Sequence, residues 1–363
     1  MSVSYTLIIY DSAGTRLAYS DDVLSLDCTR AVNGIDIFNL TYLTTANSVQ
    51  YLVAGSIVEV YRQDPDAGIA SYREFSGIVR EIVRTVTDTD ITAVRAVGFT
   101  ALLADRIVAY RAGVANRSQF TAVPAETVLK TLFDYNLGAS ATTTTGNGRL
   151  LSGVLTGATT AATTGAGNAI TIACHADNLL TAMQAIQEVG GGDFDVIYTA
   201  PATYTFTWYL GQRGTDRSAS VIFSIPNGSI GQLTTTYSAI QDTTAAIVGG
   251  QGEGIDRVYA VRPAVPPTGL SLREGWVDAR NSTTLAEYQQ RGDIALEEAT
   301  RARSRIDVVV VQTTALRYGR DYFLGDLVSI SVDGVLYTRK IASVAIRVGT
   351  DGSENIDVGL ISQ

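Results

Sequence analysis

Gly55-Ser56-Ile57-Val58-Glu59-Val60, near the start of the chain, and Gly325-Asp326-Leu327-Val328-Ser329-Ile330, near its end, share one pattern. Each is a glycine, a small polar residue, and then a run rich in aliphatic side chains. Glycine supplies a turn, and the run that follows suits a pleated, half-buried strand. Working outward, Ile35-Asp36-Ile37-Phe38-Asn39-Leu40 lies 20 positions before the first glycine, and Ile306-Asp307-Val308-Val309-Val310-Val311 lies 19 before the second. Downstream, Ile78-Val79-Arg80-Glu81-Ile82 pairs with Ile341-Ala342-Ser343-Val344-Ala345, and residues 90–98 pair with 354–359. Two β-meanders with glycine turns always look somewhat alike. Four strands in the same order, the first two almost equally spaced, indicate an internal duplication.

The rest of the first hundred residues fits this reading. Residues 4–10 form a β-rich run ended by the turn cluster Asp11-Ser12-Ala13-Gly14, and 36–42 alternate in polarity. Short strands separated by turns predict a small β-barrel or sandwich. The middle changes period. Residues 124–135 place Val128, Leu129, Leu132 and Phe133 at helical spacing, with Pro124 at the start and Gly138 as the stop. A Thr/Ala/Gly-rich stretch, 139–168, follows, and reads as a loop or a weak β-arm that orders against a neighbour. A second helix is predicted over 178–189, ended by Gly190-Gly191-Gly192, and strands over 195–198, 204–210 and 221–224. The last third holds a long helix, 284–303, with a stripe of Leu285, Tyr288, Ala295, Leu296 and Ala299 and a Glu297–Arg301 pair; Gly292 could kink it. The expected fold is therefore mainly β with α+β insertions. Two related small β-barrel domains (1–105 and 231–363, the second with the inserted helix 284–303) flank an α+β middle domain, 106–230, that carries the 139–168 loop.

Composition narrows the function. Of 363 residues, 46% are hydrophobic and only 17% charged, so the surface is poor in charge, as suits an assembly subunit. A net charge of −9 without any Lys/Arg run argues against tight nucleic-acid binding. Acidic walls would, however, let DNA slide through a channel without gripping it. Cys28 and Cys174 lack any paired spacing and read as buried thiols. Neither an export signal nor an apolar stretch of about 18 residues is evident, which predicts a protein assembled in a host cytoplasm without membrane insertion.

No chemistry converges on one place. His175 is the single histidine, and its neighbour Cys174 points to the other face of a strand, so no dyad follows. With one His and two Cys, a typical zinc site is excluded. Glu253 with Asp256 reads as turn chemistry, and Glu297 with Glu298 as a solvated helix face; a paired-carboxylate glycosidase would need acids brought together from distant positions. Gly249-Gly250-Gln251-Gly252-Glu253-Gly254 follows a strand as a phosphate loop would. Position 255 is isoleucine, and 257–261 read as a strand, so the helix N-terminus that would hold phosphate is missing. No catalytic, cofactor-binding or metal-binding residue is assigned, and no enzyme is expected.

The same glycine-rich segment, with Val221-Ile222-Phe223-Ser224, Gly228, Leu233, Ala246-Ile247-Val248 and Arg257, resembles the core pattern of siphophage tail-tip and baseplate-hub proteins. Tyr318-Gly319-Arg320-Asp321-Tyr322-Phe323-Leu324-Gly325-Asp326-Leu327-Val328 is similar to the ending of that group. Proteins of this group resemble the N-terminal module of tail-associated lysins and the central hub of T-even baseplates. The resemblance implies a structural hub in the virion tail tip, joining the hexameric tail tube or distal tail ring to a central fibre or spike. It implies a homotrimer that contacts the distal tail protein ring and the tape-measure protein and lets DNA pass without specific binding. Two like units per chain would let three chains match a six-fold tube. The sequence runs to Gln363, short of the longer members, and on this resemblance any wall-degrading activity is expected in another protein. The alternative is a tail-tip adhesin for a host receptor or glycan, with Tyr204, Phe206 and Trp208 as its candidate aromatic cluster. Contractile injection systems and gene-transfer particles use similar hubs, so the parent particle stays open.

Overall fold

The computed structural model describes residues 3–108, 118–143, 149–174, 176–240, 242–280, 282 and 284–362. The first part is a run of strands: β1 (Ser4–Tyr10), β2 (Arg16–Ser20), β3 (Ser25–Ala31), β4 (Ile37–Leu43), β5 (Ile57–Asp64), β6 (Ile69–Val86) and β7 (Asp90–Gly98). A short helix, α1 (Ala101–Ala104), leads to β8 (Ser118–Pro124), α2 (Ala125–Asn136), β9 (Ala158–Thr160), β10 (Ala169–Cys174), α3 (Leu179–Gly190), β11 (Gly192–Ala200) and β12 (Thr203–Leu210). Then come β13 (Ile222–Phe223), β14 (Ile230–Tyr237), β15 (Ala245–Gly249), β16 (Tyr259–Arg262), β17 (Glu274–Asp278) and α4 (Leu285–Arg303). The chain closes with β18 (Ser304–Val310), β19 (Leu327–Val332), β20 (Val335–Val348) and β21 (Glu354–Ser362).

The duplication is visible in the hydrogen bonds. Gly55 donates to the Val79 carbonyl (2.9 Å) and Val79 donates back to Ser56 (2.8 Å); Gly325 donates to Ile341 and Ile341 back to Asp326, both at 2.9 Å. Beyond this point each long strand bulges, between Val79 and Glu81 in β6 and between Ile341 and Ser343 in β20. Each then runs in step with its partner: Glu81↔Arg95 to Val86↔Asp90 repeats as Ser343↔Gly359 to Val348↔Glu354. Thus β5–β6–β7 and β19–β20–β21 are the same meander. The sequence pairing of Ile78 with Ile341 is off by one, since Val79 occupies that place. Two adjacent apolar residues, Ile78 and Val79, leave the phase undecided until a hydrogen bond chooses it.

A hairpin precedes each meander. β3 pairs with β4, and β14 with β18. Residues 32–36 join the first hairpin. In the second, 238–303 intervene and hold β15, β16, β17 and α4. The units also differ, because β4 pairs with β7 whereas β18 lies beside β21 without forming a ladder.

The two expected barrels are not found as such. Besides β4, β3 pairs with β20, from Ser343↔Ala31 to Val348↔Leu26, so both units join one open eleven-stranded sheet. A strand has only two edges. Those of β3 are taken by its own hairpin and by the other unit, which leaves none for closure within the first unit. The two units share a core in which Leu7, Phe38, Leu40 and Phe75 pack with Val328, Ile341, Val344 and Ile356. β3 was missed in the sequence because Ser25–Ala31 (SLDCTRA) has little β-propensity.

The middle part has its own core. Val128, Leu129, Leu132 and Phe133 of α2 are buried as predicted, against Met183 and Ile186 of α3 and Phe194 and Phe206 of the β11–β12–β9 sheet. Gly191, at φ +75°, ends α3. In the third cluster, α4 lies on β15 and β16 through Tyr288, Gly292 and Leu296. Leu285 is exposed, not part of the stripe. The helix runs unbroken through Gly292, where a Cβ would meet Arg262 and Val248 within 3 Å. That glycine serves close packing rather than a kink. The side chain of Arg301, expected to pair with Glu297, lies outside the described residues.

Candidate assembly surface

Buried charges fasten the three parts of the chain to one another. Glu354 of β21 accepts two hydrogen bonds from Arg62 of β5, at 2.8 and 2.7 Å, and a further one from Tyr5 of β1. Burial and this carboxylate push the Tyr5 hydroxyl far above its ordinary pKa. Glu74 of β6 accepts from Arg30 (2.9 Å) and from Tyr318 (2.8 Å), and burial drives the Tyr318 pKa well up. Arg73 bridges β6 to the middle part, reaching Glu59 at 2.8 Å and the Tyr198 carbonyl. Bidentate and shared ion pairs of this kind hold orientation, since breaking one leaves a charge without water or partner. A cavity of about 240 Å³ lies in this region, lined by Arg30, Asp36, Arg73, Glu74, Asp195 and Arg213. Its charges are mutually paired: Arg30 with Asp36 (3.2 Å) and Arg213 with Asp195 (2.6 Å). The cluster thus reads as a fastening.

The residues singled out in the sequence scatter accordingly. Cys28 sits buried in β3 and Cys174 at the end of β10, both as free thiols. His175 lies outside the described residues. Among the described residues no group of three or more His, Cys, Asp or Glu could hold a metal ion. The glycine-rich segment 249–254 ends β15 and opens the connection to its antiparallel partner β16, with no α-helix between the two strands. Its glycines make room: a Cβ on Gly249 would strike Trp276, one on Gly250 would strike Tyr288, and Gly252 has φ +96°. Glu253 and Asp256 are exposed in that turn, and Glu297 and Glu298 are exposed on α4. Tyr204, Phe206 and Trp208 are buried in the middle core, so they offer no aromatic surface to a glycan.

The 139–168 stretch is likewise tied into its own chain. β9 joins β12 in parallel. The Glu126 carboxylate accepts from Thr164 N (3.0 Å), Thr164 Oγ1 (2.8 Å), Ala166 N (2.8 Å) and Lys130 (2.5 Å). Burial opposes its ionisation, yet these donors hold its pKa down at about 2. Residues 144–148 of the stretch lie outside the described residues; the described part is hydrogen-bonded to α2 and β12 of its own chain.

What the surface does present is open backbone. β6 uses residues 69–78 against β5 and 77–86 against β7. Past Val79, the flank that β5 occupied carries no strand among the described residues, and Ile82, Val83 and Val86 are exposed there. Among the described residues β14 pairs only with β18, and Tyr237 at its end is exposed. Unpaired strand edges with apolar side chains are places where another chain can add a strand. Among the described residues no helix is long and apolar enough to cross a membrane.

The sequence matches the family model described as Siphovirus ReqiPepy6 Gp37-like protein over residues 6–360. No curated protein matches it. The fold is similar to that of the 43 kDa tail protein of prophage MuSo2 from Shewanella oneidensis (13% identity, 98% of this chain and 97% of that one, TM-score 0.61). It is similar to a tail protein from Neisseria meningitidis MC58 (13% identity, 98% and 96%, TM-score 0.60). It is also similar to prophage tail protein gp18 from Listeria monocytogenes EGD-e (13% identity, 98% and 93%, TM-score 0.54). At such identities the structures show a shared fold, while the family model spans nearly the whole chain: this protein belongs to the Siphovirus ReqiPepy6 Gp37-like family.

Proposed function

We propose that the chain is a structural hub subunit of a phage-type tail tip. Three copies form a ring that joins the six-fold tail tube or distal tail ring to a central fibre or spike and leaves a path for DNA. The observation that carries this reading is the repeated meander, β5–β6–β7 and β19–β20–β21, two per chain in matching register. Three chains then offer six like units around one axis, which removes the mismatch between a three-fold fibre and a six-fold tube. In this reading residues 1–105 and 231–363 contribute the two units and 106–230 the part between them. The distal tail protein and the tape-measure protein are the neighbours, and a net charge of −9 suits a wall along which DNA slides. The fold shared with prophage tail proteins supports the setting.

Light scattering on the purified chain, with negative-stain images, tests the proposal. Three chain masses and a central hole are expected. A stable monomer that also fails to assemble on its distal tail ring overturns it.

A further inference from the structure

In the second unit, the long strand has both flanks filled. β20 pairs with β21 on one side. On the other it pairs first with β19 through residues 335–340 and then with β3 through 343–348. Where β3 covers it, Val344 and Ile346 are 0% and 1% exposed. In the first unit the matching place on β6, residues 81–86, carries no such strand among the described residues. There Ile82, Val83 and Val86 are 39%, 48% and 65% exposed. Among the described residues, a hairpin strand with a free edge also stands at the position corresponding to β3. It is β14, the first strand of the β14–β18 hairpin, and it carries no charged side chain.

We infer that β14 of one copy adds antiparallel to residues 81–86 of β6 in the next copy, reproducing between chains the β3–β20 ladder seen within one. This rests on the hub reading and specifies the contact that closes its ring. The register follows from the hairpins. Cys28↔Phe38 in β3–β4 corresponds to Leu233↔Val308 in β14–β18, the residues that point to the shared core in each. Since Cys28 lies opposite Ile346 and Arg30 opposite Val344, Leu233 falls opposite Arg84 and Thr235 opposite Ile82. The contact is heterologous, edge to a different edge, so it closes into a ring when the rotation between copies allows and is not used up by a two-fold pair. Backbone pairing supplies the attraction, and the covered Ile82 and Val86 side chains add burial.

The test is a pair of cysteines in the full chain, Ile82→Cys with Thr235→Cys, oxidised and run on a non-reducing gel. Ile82→Cys and Thr235→Cys alone serve as controls; both native cysteines are buried. Most chains are expected to shift to linked dimers and trimers in the double variant and none in either single one. Ile82→Cys/Leu233→Cys and Arg84→Cys/Thr235→Cys cover a slip of two residues. A trimer by light scattering in which none of the three pairs links overturns this contact and leaves the hub reading intact. A monomer at every concentration, with no linkage, overturns the contact as well, and the hub reading then stands or falls on whether the chain is found in assembled tails.

Discussion

The Lys340 ammonium lies 2.8 and 3.1 Å from the two oxygens of the Asp193 carboxylate, which is wholly buried. Asn33 donates to one of those oxygens at 2.8 Å, and the backbone N–H of Arg213 to the other at 2.9 Å. One carboxylate therefore gathers β20, the β3–β4 turn and both ends of the β11–β12 hairpin. Removing it as Asp193→Ala strands a buried ammonium and is expected to cost about 3–5 kcal/mol in urea unfolding. Adding Lys340→Met to that variant should restore part of the loss. If the double variant is no more stable than the single one, the pair is not what holds these elements.

Glu126 predicts the acid behaviour of the middle part. Its pKa falls from an ordinary 4.5 to about 2. A depressed carboxylate stabilises the fold above its unfolded pKa, and that contribution is lost as pH falls from about 4.5 toward 2. Glu126→Gln should lower stability at neutral pH and flatten its dependence on pH in this window. Thermal melts of both proteins from pH 2 to 7 would show it, and parallel curves would count against the role.

Gly55 and Gly325 hold corresponding turns at φ +92° and +91°. Alanine at either should cost about 1 kcal/mol or more from backbone strain alone. The costs should differ. A Cβ at Gly55 meets only Ser12, at 4.0 Å, while one at Gly325 comes within 3.0 Å of Gly214 N and 3.1 Å of Arg213. Gly325→Ala is therefore expected to be the more damaging of the two in equilibrium unfolding.

Both thiols should be silent in the native protein. Burial raises the Cys28 pKa well above its ordinary value and that of Cys174 to about 11, so little thiolate exists and little of it is reachable. A thiol reagent should find neither cysteine until denaturant is added, and then both. Prompt reaction of the folded chain would contradict the placement of β3.

Much of the local structure was legible because periodicity is a local signal. The helices α2, α3 and α4 announced themselves through apolar spacing, and the meander strands through glycine turns and β-branched runs. The aromatic alternation Tyr204, Phe206, Trp208 was equally legible as a strand, but not its destination, since alternation marks a face and not what covers it. Nothing local marks β3: its polar, Cys- and Asp-containing sequence becomes a strand only because β4 and β20 satisfy its two edges.

By itself, then, the sequence determined the duplicated meander and the helices of the middle part, because turn chemistry and side-chain period act over a few residues. Only the tertiary structure decided that the two units merge in one open sheet, that Asp193 and Lys340 meet, and which strand edges stay free. Those outcomes depend on hydrogen-bond partners hundreds of residues apart, and which edge remains unpaired is known only once every other strand has found its place.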